Sequence, residues 1–145
     1  MSADLDALLE RIPHRGPMRF LDEVLAVGPS WIRTRTTLRE EFIMARDGLV
    51  SPLVAIELFA QSAAAFMAHR TASSNQPFVQ GALLGSRKMD VFAETFAVGD
   101  TLIAECHETF GAGALAQFDC RLTRGEETIA QGVINVVSGA GVVQG

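Results

Sequence analysis

Two cysteines in 145 residues, Cys106 and Cys120, are too few for a disulfide scaffold, so a packed core has to hold the chain together. No segment is dense in lysine or arginine, and the net charge is −5, which argues against general nucleic-acid binding. The three histidines, His14, His69 and His107, are scattered without ligand spacing and argue against a metal site. The opening MSADLDALLERI carries acids where a signal peptide would carry basic residues, and it has no continuous apolar stretch. A cytoplasmic protein is therefore expected. One apolar run is nearly long enough to span a bilayer, but Ser51, Pro52, Glu57, Gln61 and Ser62 interrupt it. A charge near its centre would cost about 2.5–3.5 kcal/mol on insertion, and no second span accompanies it, so no membrane helix is expected. With 48% apolar and 20% charged residues the composition is that of an ordinary globular protein, expected as one domain over residues 1–145 with a frayed tail from about 138.

The run itself, VSPLVAIELFAQSAAAFMA from Val50 to Ala68, is the most informative stretch, because Glu57 is its only ionisable residue. Ser51 is placed to cap a helix, Pro52 suits the first helical position, and His69 and Arg70 put positive charge at its end. A helix apolar on nearly every face belongs inside a domain. An ionised carboxylate there loses its hydration, so Glu57 needs a partner, a raised pKa or a task. Gln61 lies one turn on, on the same face, where it can hold Glu57, bind substrate or fill a polar gap.

Around this helix the pattern is mostly β. Residues 3–11 suit a short amphipathic helix. Apolar residues from Met18 to Val27 and the alternating WIRTRTTL of 31–38 read as strands joined through Gly28-Pro29-Ser30, with Trp31, Arg33 and Arg35 on one face. Residues 39–51 read as an irregular loop and TASSNQP as a polar one. Further strands are expected over 81–92 (irregular at Gly85), 101–110, 115–123 and 128–137. One apolar helix and a mostly antiparallel sheet satisfy each other if the sheet curls around the helix, an α+β arrangement.

That order and three motifs resemble the hotdog-fold β-hydroxyacyl-acyl-carrier-protein dehydratases of the FabZ/FabA type. Ile12-Pro13-His14-Arg15-Gly16-Pro17-Met18 followed by Phe20-Leu21-Asp22-Glu23-Val24 is similar to the family's opening motif. Ala55-Ile56-Glu57-Leu58-Phe59-Ala60-Gln61 is similar to its central-helix motif, and Val98-Gly99-Asp100-Thr101-Leu102 to its turn into a long strand. GALLGSRKMD, QFDCRL and INVV look closer still to the ApeP-like branch, 3-hydroxyacyl-carrier-protein dehydratases linked to aryl polyene-type lipid pathways. The resemblance covers roughly residues 5 to 137. It implies a curved antiparallel sheet of about five to six strands wrapped around one long helix. It also implies a homodimer or higher oligomer with the site at the subunit junction, and Glu57 as catalytic. The substrate would be an acyl thioester on an acyl carrier protein or coenzyme A, with no other cofactor and no metal.

One departure stands out. FabZ-type enzymes carry a histidine in the loop before the central helix, whereas Glu41-Phe42-Ile43-Met44-Ala45-Arg46-Asp47-Gly48-Leu49-Val50 has none. Dehydration needs a base for the α-proton and an acid for the departing hydroxyl. Asp47 is a stand-in acid or a turn residue; Gly48 lets a backbone N–H polarise a thioester carbonyl or is a plain turn. His14 is a second proton-transfer group or a turn histidine. Cys106 and Cys120 flank a hairpin and read as buried free thiols; Arg87-Lys88 is a patch for an acidic carrier or a solvated edge. Three functional readings stay open: a dehydratase, including a heterodimer whose FabZ-like subunit brings the histidine; a thioesterase using one helix carboxylate; and a non-catalytic acyl-binding or scaffolding subunit.

Overall fold

Ser51 ends the preceding loop as a cap. Its hydroxyl accepts from the Leu53 N–H at 3.2 Å and its carbonyl from the Val54 N–H at 3.0 Å, and helix α1 runs from Val54 to Ser73. A computed structural model describes residues 5, 7–10, 12, 16–73, 82–112 and 114–137. The expected frayed tail, His14 and the loop beyond Ser73 lie outside the described residues. The helix passes the expected end at Arg70, whose guanidinium turns aside to pair with Glu108 and to cover the Phe66 ring.

The strands are β1 (Glu23–Val27), β2 (Trp31–Thr37), β3 (Ala45–Arg46), β4 (Leu49–Val50), β5 (Ala82–Val91), β6 (Phe96–Ala97), β7 (Thr101–Ala112), β8 (Leu115–Arg124) and β9 (Glu127–Val137). Six of them form one antiparallel sheet in the order β1-β2-β7-β8-β9-β5; β3, β4 and β6 form a small second sheet. Helix α1 touches β2, β7, β8, β9 and β5. Five adjacent strands span about 19 Å, while a helix is about 10 Å across, so the sheet must curl around it. The expected arrangement of one helix within a curved sheet is the one observed.

Alternation decides what the sheet presents to the helix. Ile32 and Thr34, Ala104 and Cys106, Phe118 and Cys120, and Ile134 and Val136 face inward and are buried, as are Phe59 and Phe66 of α1. Phe66 meets Phe118 edge to face at 5.7 Å. Cys106 and Cys120 are direct cross-strand partners, free and buried, with Cys106 Sγ 4.0 Å from the Phe59 carbonyl oxygen. Burial, then the neighbouring Cys106 thiol, pushes the Cys120 thiol well above its ordinary range, so it behaves as a core residue. Trp31, Arg33, Glu105, His107, Asp119 and Arg121 take the outer face.

Three stretches differ from expectation. Only Glu23–Val27 of the expected 18–27 strand is β structure; Gly16–Met18 is a 3-10 turn, and Phe20 and Leu21 run buried toward α1. Ala7–Glu10, within the expected N-terminal helix, is also a 3-10 turn. The loop over 39–51 holds the β3–β4 hairpin.

Candidate functional site

The inner face of β2 sets the register of α1. Thr34 Oγ1 lies 2.9 Å from Ser62 Oγ, and Ser62 also donates to the Leu58 carbonyl at 2.7 Å. With Ser62 turned to the sheet, a stripe on the other side of α1 stays partly open: Ile56, Glu57, Ala60, Ala64 and Met67 are half-buried, and Leu53 at its head is 63% exposed. Their spacing of three and four residues is one helix face. The helix was expected to be buried all round; the curved sheet leaves this strip uncovered. Glu57 stands on it.

Gln61, one turn along, is fully buried. It accepts from the Phe20 N–H at 2.9 Å and donates to the Met18 carbonyl at 2.8 Å and to Glu57 Oε1 at 3.2 Å. The structure therefore brings Glu57 and Gln61 together, and ties both to the chain segment that follows Gly16.

Asp47 and Gly48 lie elsewhere. They are the two central residues between β3 and β4, with φ of 55° and 80°, both exposed. Asp-Gly with two left-handed residues is the tight hairpin turn whose twist matches its strands. The Gly48 carbonyl accepts from Val98 N–H at 2.9 Å, which pins the hairpin to the segment after β6. Exposed Ile43 and Leu49 flank this turn.

Neither described histidine can reach Glu57. His69 sits twelve residues further along α1, about 18 Å by helical rise. His107 is on the outer face of the sheet, its Nε2 2.8 Å from Glu105 Oε2, with Trp31 stacked at 6.3 Å. His107, then Arg33, holds the Glu105 carboxyl below its ordinary value, against the opposing push of burial. This outer face carries a shallow polar depression of about 400 Å³ lined by Lys88, Asp90, Glu105, His107 and Arg121, on the side of the sheet away from α1.

The acids of the two other motifs are structural. Asp22 accepts from the Thr37 N–H at 2.7 Å and from Arg39; Asp100 accepts from the Ala97 N–H at 3.0 Å and from Arg124 Nη1 at 2.9 Å. Arg87 and Lys88 are exposed on β5, with Lys88 Nζ 3.8 Å from Asp90. The backbone anchors at Met18 and Phe20 were not readable in advance, since backbone polar groups leave no mark in a residue string. Among the described residues, no group of three or more His, Cys, Asp or Glu could hold a metal ion, and no helix is long and apolar enough to cross a membrane.

Comparison with known proteins bears on what this arrangement is. The ApeP-like family model, described as ApeP dehydratase, matches residues 7–144. Among solved structures, the dehydratase heterocomplex ApeI:P from Xenorhabdus doucetiae is similar with a TM-score of 0.84 at 20% identity, over 90% of this chain and 90% of that one. Cj0977, a sigma28-regulated virulence protein from Campylobacter jejuni, is similar with a TM-score of 0.65 at 19% identity, over 95% and 92%. A hypothetical thioesterase with coenzyme A from Streptococcus pneumoniae TIGR4 is similar with a TM-score of 0.61 at 11% identity, over 80% and 84%. No curated protein matches by sequence. At these identities the structural likenesses speak to fold alone, and the fold is the hotdog.

Proposed function

From the premise that this chain belongs to the ApeP-like dehydratase family, we propose that it takes part in dehydrating 3-hydroxyacyl thioesters, with Glu57 as one of two proton-transfer groups. A base removes a proton from C2 and an acid protonates the 3-hydroxyl. Water then leaves as the C2=C3 double bond forms. The observation that carries this reading is the position of Glu57 on the open strip of α1, between apolar Ile56 and Ala60, where an acyl chain can lie against it.

The second proton-transfer group belongs to a partner chain that covers the strip. Residues 41–50 offer no histidine, and the two described histidines, His69 and His107, are out of reach, while His14 lies outside the described residues. That the similar Xenorhabdus doucetiae protein is a dehydratase heterocomplex supports a two-chain site. A FabZ-like subunit bringing a histidine fits the requirement; a second copy of this chain is the other arrangement. The acyl group would arrive on the phosphopantetheine of a cytoplasmic acyl carrier protein or on coenzyme A, and exposed Arg87 and Lys88 suit an acidic carrier. A thioesterase is the second reading, favoured by a helix carboxylate whose preceding loop, residues 41–50, holds no histidine and by the likeness to a hypothetical thioesterase.

The test follows enoyl formation and free-thiol release separately from 3-hydroxyacyl and saturated acyl thioesters. Wild type and Glu57→Gln are compared, alone and with a FabZ-like chain. Enoyl product that needs the partner and falls about 10²–10⁴-fold in Glu57→Gln is expected. Free thiol without enoyl product selects the thioesterase, and full activity in Glu57→Gln removes Glu57 from the site.

A further inference from the structure

The outer face of the main sheet, on the side away from α1, is arranged in levels, because directly opposed residues of neighbouring strands line up across it. One level runs Arg33, Glu105, Arg121, Gln131 and Asp90 from β2 to β5. The next, two residues away on each strand, runs Trp31, His107, Asp119, Val133 and Lys88. Strand by strand, each level carries what attracts the other. The pairs are a guanidinium and an indole on β2, a carboxylate and an imidazole on β7, a guanidinium and a carboxylate on β8, and a carboxylate and an ammonium on β5; β9 contributes a neutral pair. Some of this attraction is spent within the chain: Arg33 Nε donates to Glu105 at 2.8 Å, and Lys88 Nζ lies 3.8 Å from Asp90. Asp119 and Arg121, both exposed, form no ion pair among the described residues.

A half-turn about an axis lying in this face, across the strands and between the two levels, sets each level over the other level of a second copy. We propose that the face is a self-association surface on which two copies pack back to back, the Asp119 carboxylate of each against the Arg121 guanidinium of the other. Glu105 then meets His107 on one side of that pair, and Asp90 meets Lys88 on the other. Facing sheets lie about 10 Å apart, within reach of an arginine and an aspartate extended toward each other. The depression of about 400 Å³ on this face gives the incoming side chains room. Charge favours this side too. Arg33, Lys88 and Arg121 balance Asp90, Glu105 and Asp119, whereas the whole chain carries −5, so two copies meet here without net repulsion. A face of about 19 Å by 23 Å is at the small end of specific interfaces, so it closes at micromolar or higher protein concentration and is loosened by salt. The strip of α1 that carries Glu57 lies on the opposite side of the sheet and stays free, so the association does not depend on what covers that strip.

The experiment is sedimentation of the full chain at low salt and rising concentration, as wild type, Asp119→Arg, Arg121→Asp and the double exchange. Whatever assembles through the strip of α1 is common to all four, so the reading is whether mass doubles beyond it. Wild type is expected to double and to lose the doubled species as salt is raised. Each single variant sets like charges face to face twice and is expected to weaken the association about tenfold or more. The double exchange restores both pairs with their signs reversed and is expected to double again. The decisive sample is an equal mixture of the two single variants. Arginines at 119 and 121 of one then face aspartates at 121 and 119 of the other, and the doubled mass is expected to return. A wild type no heavier than the single variants overturns the proposal, and so does a mixture that stays as light as its components. Should either single variant fail to fold, Arg121→Gln takes its place, and a doubled species undiminished in that variant overturns the proposal.

Discussion

Replacing Ser62 by alanine is expected to destabilise the protein more than replacing its partner Thr34 by valine: the first breaks two side-chain hydrogen bonds, the second one. Both residues are fully buried, so water cannot substitute. The Ser62 proton goes to the Leu58 carbonyl at 2.7 Å, which leaves Thr34 as the donor in the 2.9 Å contact between the hydroxyls. Thr34→Val removes that donor and leaves Ser62 still donating, a loss of about 0.5–1.5 kcal/mol. Ser62→Ala strands the Thr34 hydroxyl in the core and incurs its desolvation, about 1–3 kcal/mol. In the double variant no donor is stranded, so its loss should fall short of the sum by about 1 kcal/mol or more. Urea unfolding of the four proteins reads these differences, with thermal midpoints moving about 2–4 °C per kcal/mol. Equal losses for the two single variants, or strict additivity in the double, would refute the donor assignment and with it the account of how α1 is phased.

Other outcomes follow from single contacts. A Cβ on Gly132 would lie 2.6 Å from the Lys88 carbonyl oxygen and 2.7 Å from Met89 Cε, so Gly132→Ala should part β9 from β5 and cost about 1–3 kcal/mol. Gly85→Ala, whose added Cβ meets nothing within 4 Å, should cost less than about 1 kcal/mol in the same thermal melts, and equal costs would sink the packing argument. His107 is the main cause of the lowered pKa of Glu105, so the folded state holds fewer protons there than the unfolded chain. That stabilisation is present above the ordinary value of 4.5 and lost as pH falls through the lower folded value. His107→Leu should therefore flatten the acid limb of stability against pH, measured by urea midpoints, and an unchanged limb would count against it.

Much of the fold was legible because alternation and turn residues carry phase. The outward Trp31, Arg33 and Arg35, the irregular register near Gly85 and the cap at Ser51 were all readable. The long helix was readable in place but not in aspect. A run apolar on every side has no phase, so nothing in VSPLVAIELFAQSAAAFMA says that Ile56, Ala60 and Met67, rather than Leu58 and Phe66, face the uncovered side. The Asp47-Gly48 hairpin went unread because β3 and β4 are two residues each, too short to alternate. Phe20 and Leu21 resembled strand because apolar content was all they offered. The Phe20 N–H goes to a glutamine forty-one residues away, which no local pattern encodes. Glu57 was conspicuous for a simpler reason: charge inside an apolar run is rare enough to be seen without geometry.

The order of the main sheet bears on how the chain is made. Strand β5 is synthesised well before β9, its neighbour in the sheet, and β6, β7 and β8 come between them. While the ribosome completes these, β5 has no strand to pair with, and α1, already made, still lacks much of its cover. A chain halted before Glu127 would leave β5 without a strand to pair with and the apolar helix without the part of its cover that β9 supplies. Such a fragment is a chaperone client or a seed for aggregation. Folding here waits on the last hairpin.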